Sequence, residues 1–226
     1  MLITILMAKN KYITIAIDGA AGTGKSTTSR SLCQKFNYIH IDTGLHYRSL
    51  CHFFINLNIT SDNVKNYLEN NSLEVDSIID GHSCFLQVNG HTYNSHLLRN
   101  KSMNLKVSYY ARIPEVRALL LSYQRNLPLL GQKAGFSGII MDGRDIGSIV
   151  LPNADLKFFL HADLSIRESR RSADGESSNL SKRDTIDTNR KTAPLVCPEG
   201  AISLDTGILS INAVVSRISD EIYSIS

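Results

Sequence analysis

The chain has 226 residues, 42% hydrophobic and 20% charged, with a formal net charge of +3. That length suits one well-buried domain with room for one or two small insertions, and the composition excludes a disordered chain. The small net charge excludes a general polyanion-binding surface, so any anion site must come from local concentration of cations.

In chain order, the opening MLITILM is apolar but short, has no basic stretch before it and is followed by Lys9 and Lys11. It reads as an N-terminal extension, or an upstream start before Met7, and not as a signal peptide. Tyr12–Asp18 (YITIAID) is an apolar, β-rich run of strand length, ended by Gly19. Gly19 to Ser26 (GAAGTGKS) then matches G-x-x-x-x-G-K-[S/T] between a predicted strand and a predicted helix, the context this phosphate loop demands. Gly19, Gly22 and Gly24 let backbone amides turn inward around a phosphate, with Ala20, Ala21 and Thr23 at the free positions. Lys25 supplies a point charge to the β- and γ-phosphates, and the Ser26 hydroxyl suits magnesium. Thr27 follows within reach of the nucleotide. A helix from Lys25 to about Phe36 adds its positive N-terminal end. The motif predicts binding of a nucleoside triphosphate.

YIHID (38–42) reads as a second strand and Leu45 to about Asn56 as a second helix. From Asn71 to His96, LEVDSII, CFLQV and HTY are short strand-like runs separated by the hairpin signals Asp80-Gly81 and Asn89-Gly90, a small β-rich insertion. Helical patterning returns from Leu97 to about Arg125, with Pro114 opening a new helix. GIIMD (138–142), LKFFL (156–160) and AISLD (201–205) are further strands. SADGESSNLS (172–181) is polar and reads as a mobile loop. Arg183, Asp187 and Arg190, at offsets 0, 4 and 7 in RDTIDTNRKTAPL, share one face of a predicted helix, either an ion-paired surface or one wall of an anion site.

Strands alternating with helices predict an α/β fold, a mainly parallel sheet covered on both faces. No apolar run approaches the length of a membrane span. The four scattered cysteines form no C-x-x-C pair and point to a reducing cytoplasm. In a parallel sheet, DTGLHYR (42–48) and DGRDIG (142–147) fall at the same carboxyl edge as the phosphate loop, which brings Arg48 and Arg144 near Lys25. Six of the thirteen arginines lie between Arg144 and Arg190. Together they favour an anion-binding cleft. His40, His46 and His161 have no metal-ligand spacing and read as structural.

The chain resembles bacterial cytidylate kinases, of the nucleoside monophosphate kinase family, on IAIDGAAGTGKST, IDTGLHYR, SYYARIPEVR, MDGRDIGSIVLPNADLKFFL, RDTIDTNRKTAPL and AISLDT, in family order from about residue 12 to 222. The resemblance implies a three-layer α/β/α kinase domain. Its core would span about 12–42, 112–171 and 191–226, with a monophosphate-binding region, including the β-rich insertion, at about 43–111 and a lid at about 172–190. It implies transfer of the ATP γ-phosphoryl group to CMP or dCMP with magnesium, in a cytoplasmic monomer without nucleic-acid or membrane partners. A nucleotide phosphate is mostly ionised at pH 7, so no general base is needed, and a cation-rich site without a credible base agrees with phosphate as acceptor.

By resemblance, Arg48 and Arg144 hold the CMP phosphate, Thr43 and Tyr47 line its pocket, and Ser108, Arg117 and Asp145 read the cytosine. Arg183 faces the phosphoryl groups, while Asp187 and Arg190 hold the ribose. Lys25, Arg144, Arg171 and Arg183 form the catalytic set, with Arg171 and Arg183 ranked first among the lid arginines over Arg167 and Arg170. Asp142, ending GIIMD, would orient magnesium through water beside Ser26; its plainer reading is a helix or turn cap. Competing readings are another small-molecule kinase, such as a shikimate kinase or a different monophosphate kinase, or a nucleotide-binding protein that is not a kinase. Relative to many family members the lid is short, and Ile186 stands where some carry arginine. That spacing predicts a lid poorly ordered without nucleotide. Fast amide exchange over residues 172–182 in the free protein is the expected outcome; strong protection there would contradict it.

Overall fold

The computed structural model describes residues 11–173 and 180–226. The N-terminal extension and most of the predicted 172–181 loop therefore lie outside the described residues. Strands β1 (Ile13–Asp18), β2 (Tyr38–Asp42), β6 (Gly138–Gly143), β7 (Leu156–His161) and β8 (Ile202–Asp205) pair in parallel in the order β2-β6-β1-β7-β8. The central β6 is buried along its whole length, as a strand covered on both faces must be. Helices α1 (Lys25–Phe36) and α9 (Ile211–Ile225) close one face over Ile13, Ile15, Ile17, Ile140, Phe158 and Leu160. Ala16, Ile39, Ile41, Ile139 and Met141 point to the opposite face, where they meet Leu127 of α6 (Pro114–Lys133).

The remaining helices are α2 (Thr43–Asn56), α3 (Val64–Asn70), α4 (Ser95–Leu98), α5 (Lys101–Tyr110), α7 (Leu164–Ala173) and α8 (Leu180–Thr188). A second apolar cluster, with Leu50, Phe54, Leu86, Val88, Met103, Val107 and Leu120, joins α2, α5 and α6. The predicted hairpins form: β3 (Val75–Asp80) pairs antiparallel with β4 (Ser83–Val88), and β4 with β5 (His91–Thr92). Asn89 and Gly90 both take positive φ, as a tight hairpin turn requires. At the other turn the bend is one residue later than expected, at Gly81-His82, because Asp80 still pairs with Ser83. The hairpin also joins the main sheet, since His40 of β2 pairs with Ser83 of β4.

Two helical expectations need correction. Pro114 opens a new helix as expected, but the stretch from Leu97 to Pro114 is itself divided between α4 and α5, and α6 runs past Arg125 to Lys133 through Pro128. The bond lost at Pro128 is outweighed by packing, since Leu127 and Gly131 are buried and Gly131 lies against Tyr12 and Ile39. The helix predicted to carry Arg183, Asp187 and Arg190 on one face stops at Thr188, so Arg190 belongs to the segment beyond it. Among the described residues no helix is long and apolar enough to cross a membrane.

His46 of α2 sits at the base of this architecture. Its ring is 1% exposed, edge-on to Tyr123, with Nδ1 3.5 Å from Gln124 Nε2. Burial lowers its pKa from 6.5 to about 4. In the unfolded chain the ring takes a proton near its ordinary value, so its contribution is intact above pH 6.5 and is lost as pH falls towards 4, by about 3 kcal/mol at most. Asp18, raised by burial to about 6, acts in the opposite sense over the same window. The expected outcome is therefore a difference: denaturation midpoints should fall less steeply from pH 6.5 to 4.5 in His46→Phe than in wild type. Parallel slopes would remove the buried ring as the cause.

Candidate active site

The phosphate loop links β1 to α1 and is bound tightly to its surroundings. Thr23 Oγ1 donates to the Ala20 carbonyl (3.0 Å), as does Lys25 Nζ (2.8 Å). At Gly19 φ is +149°, and a Cβ there would stand 2.1 Å from the Leu160 carbonyl oxygen. The loop faces a cleft of about 670 Å³ whose walls include Lys25, Ser26, Thr27, Thr43, Tyr47, Arg48, Ser108, Asp142, Arg144, Asp145, Arg171, Arg183, Asp187 and Arg190. The sheet has brought together the ends of β1, β2 and β6, as the edge argument predicted. Arg117 stands just behind this wall, its guanidinium bonded to Asp145 and lying 5.5 Å over the Tyr47 ring.

Two strand-end carboxylates flank Ser26. Its Oγ lies 3.2 Å from Asp142 Oδ1 and 3.5 Å from Asp42 Oδ2. Asp42 and Asp142 are register partners across β2 and β6. His40 Nε2 lies 2.7 Å from the second oxygen of Asp142, and Arg99 Nη2 lies 2.5 Å from Asp42 Oδ2. Asp42 also caps α2 by accepting from the Leu45 amide. Burial pushes the Asp42 pKa up, but Arg99, with His40 and Arg48, overrides it and holds the carboxyl below its ordinary range. Among the described residues the partners of the Asp142 carboxylate are the Ser26 hydroxyl and the His40 ring, with no backbone amide, so the plainer reading of Asp142 as a helix or turn cap is not supported. Its backbone carbonyl instead accepts from Thr43 Oγ1 at 2.8 Å.

The opposite wall is cationic. Arg144 Nε donates to Asp187 Oδ2 (2.8 Å) and Nη1 to the Gly19 carbonyl (3.0 Å). Arg190 Nε donates to the Asp187 carbonyl at 3.2 Å, so Asp187 holds two arginines in place. Of the two readings of the face carrying Arg183 and Asp187, the ion-paired one is not supported: an i,i+4 pair between them is not among the ion pairs of the described residues. Arg183 Nε and Nη1 and Arg190 Nη2 are buried with no hydrogen-bond partner. Burial, with Arg144 nearby, lowers Arg183 to about 10. The same two causes lower Lys25 to about 7. Arg48 donates to the Leu98 carbonyl at 2.9 Å.

Of the α7 arginines, Arg170 and Arg171 both line the cleft, whereas Arg167 is buried and committed elsewhere, so none of the three is simply solvated. Arg167 binds Asp184 (2.6 Å) and the Ala21 carbonyl (3.2 Å); Arg170 donates to Thr206 and to the Gly22 carbonyl. Both brace the phosphate loop.

Sequence reasoning missed Asp18, His40, Asp42 and Arg99. Asp18 is fully buried and accepts from the Ile146 and Gly147 amides, each at 2.7 Å. This fixes the wide helical turn Ile146–Val150 that follows Asp145. Asp42 was findable, since YIHID ends in the same way as GIIMD at the same sheet edge. Arg99, on an irregular link between α4 and α5, carried no signal.

A model of the family described as cytidylate kinase matches residues 15–224. Among curated relatives, the cytidylate kinase of Alkaliphilus oremlandii is 40% identical over 223 residues, covering 92% of this chain and 96% of its own. That of Clostridium tetani is 39% identical over 228 residues, covering 94% of each chain. That of Caldanaerobacter subterraneus is 37% identical over 228 residues, covering 94% of this chain and 96% of its own.

The Gly19 geometry gives a direct check. Gly19→Ala must push its Cβ away from a backbone oxygen, at a cost of at least about 2 kcal/mol. It should lower the melting temperature and weaken nucleotide binding more than tenfold; native values for both would show that the loop tolerates a side chain there.

Proposed function

The chain belongs to the cytidylate kinase family, and we infer from that membership and from its cleft that it transfers the γ-phosphoryl group of ATP to CMP or dCMP, releasing ADP and the matching diphosphate. The observation that carries this reading is the set of buried, unpartnered guanidinium donors on Arg183 and Arg190, opposite the phosphate loop. A buried guanidinium donor left without an acceptor is costly, and a phosphate supplies the missing acceptors and charge.

On this reading the loop amides and Lys25 hold the ATP phosphates, and Arg48 and Arg144 hold the acceptor phosphate. An ionised oxygen of the acceptor attacks the γ-phosphorus, while the bond to the bridging oxygen breaks and ADP leaves with that electron pair. No proton has to be removed first. Arg171 and Arg183 face the charge spread over the transferring group. Asp187 and Arg190 hold the ribose.

Magnesium is part of this proposal. Ser26 with the Asp42 and Asp142 carboxylates presents only oxygen donors, which fits a hard cation that keeps several waters. Ser26 would hold it directly and Asp142 through water, and its chemistry is to offset phosphate charge. Ser108, Arg117 and Asp145 read the base. Arg117 fixes the Asp145 carboxylate, which accepts from the exocyclic amine of cytosine. Uracil would set a carbonyl there, and a buried unpaired acceptor is penalised by about 1–3 kcal/mol. The unpaired state of all four cysteines agrees with a cytoplasmic setting, and we read the protein as a monomer acting on small molecules.

A coupled ADP-release assay across CMP, dCMP, UMP, AMP and shikimate tests this. CMP and dCMP should be the favoured acceptors, and Lys25→Ala should abolish activity with any of them. Asp145→Ala should narrow the CMP-over-UMP preference by about tenfold or more; an unchanged preference would remove Asp145 from base reading. Activity with a non-cytidine acceptor alone would overturn the assignment.

A further inference from the structure

On β2 the side chains alternate. Ile39 and Ile41 enter the apolar layer beneath α6, while Tyr38, His40 and Asp42 face α1. The α1 side is otherwise apolar around them, with Ile140, the register partner of His40, and Leu32 and Cys33 in the same cluster. An imidazole in that layer, 4% exposed, is costly unless its nitrogens are bonded. Its Nε2 meets Asp142 Oδ2 at 2.7 Å, with the two side chains 5% and 3% exposed. The other oxygen of the same carboxylate faces the Ser26 hydroxyl at 3.2 Å. His40 is also fixed from behind, because its backbone amide donates to the His82 carbonyl at 2.7 Å and so ties it to the edge hairpin.

We propose that His40 is a positioning residue for phosphoryl transfer: it grips one oxygen of Asp142 so that the other stays aimed at Ser26, where the metal-bearing nucleotide sits. A carboxylate has one free rotation about its last bond. Thr43 holds the Asp142 backbone and Ser26 meets one oxygen, but only weakly at 3.2 Å. The short buried contact to His40 is what selects one setting of the head group. Partners of this kind, one shell behind a metal-orienting carboxylate, typically change metal affinity or activity by 10–100-fold when removed. The role presupposes that Ser26 and Asp142 orient magnesium, as read above.

The test compares His40→Leu, which keeps bulk but removes the bond, with His40→Gln, whose amide reaches about as far as Nε2. The equilibrium affinity for a non-hydrolysable ATP analogue is measured calorimetrically over a magnesium series, alongside kcat, the CMP KM and the melting temperature. In His40→Leu the magnesium concentration for half-maximal tightening of the analogue should rise about tenfold or more, and kcat should fall, while the CMP KM stays within about twofold. His40→Gln should recover most of both losses. A native magnesium response in His40→Leu overturns the role. So does an equal loss in both variants that tracks their melting temperatures, since that marks a structural residue. A wild-type protein whose affinity for the analogue ignores magnesium would instead remove the metal reading on which this one stands.

Discussion

Like charges held out of water beside one another are the constraint around which this molecule is arranged. Lys25, Arg48, Arg183 and Arg190 are all buried at one cleft, with Arg144 among them. Desolvation opposes each charge and neighbouring cations add to the opposition, which is why Lys25 is drawn down to about 7 and Arg183 to about 10. Asp187, Asp42 and Asp142 offset part of this, and burial would push the Asp187 and Asp42 carboxyls up without the cations. Asp187 nevertheless stays below its ordinary range: burial raises it, but Arg144 and Arg190 together lower it further. The protein alone leaves several guanidinium donors unmet. On the proposed function a polyanion would supply the missing acceptors, and without one the unmet donors cost stability.

Geometry at this cleft is set by backbone more than by the cations themselves. Parallel pairing puts Asp18 opposite Gly143, and the Asp18 carboxylate then captures two successive amides just beyond Asp145. That capture dictates a turn with i to i+5 bonds, from Val150 to Asp145 and from Leu151 to Ile146. With the chain fixed on both sides, Arg144 reaches back to Gly19 while Asp145 turns towards Arg117. A buried carboxyl raised to about 6 is an expensive hinge pin, yet two amides would otherwise be unpaired at the most crowded point of the sheet edge.

The sequence made legible whatever depends on local pattern. Eight strands and the phosphate loop emerge within a residue or two of their observed limits, because apolar runs, glycines and turn dipeptides report directly on backbone demands. Topology alone placed Arg48 and Arg144 beside Lys25 at three strand ends; the roles of the other cleft residues beyond the phosphate loop came through the family resemblance. What escaped depends on contacts between distant segments. No period in the sequence says that Pro128 sits inside a helix, since packing of Leu127 and Gly131 decides it. Arg183 and Asp187 are correctly spaced for an ion pair, but Arg144, 43 residues away, takes the carboxylate. Asp18 and His40 were hidden because each lies within a run that reads simply as strand.

The paired strand ends also explain how donor and acceptor sides are held to a common geometry. Asp42 meets Ser26 on the phosphate-loop side, caps α2, which carries Tyr47 and Arg48, and receives Arg99 from beyond α4. Asp142 meets the same Ser26, and through its carbonyl holds Thr43 at the start of that helix. Displacing α2 by even a fraction of an ångström would therefore disturb both carboxylates at Ser26. Arg167 and Arg170 perform the corresponding task on the far side, joining the Ala21 and Gly22 carbonyls to α7, Asp184 and Thr206. Transfer between two anions tolerates little misplacement, because the cations that offset repulsion act only over a few ångströms. A phosphate loop braced on one side by arginines and on the other by paired aspartates meets that requirement.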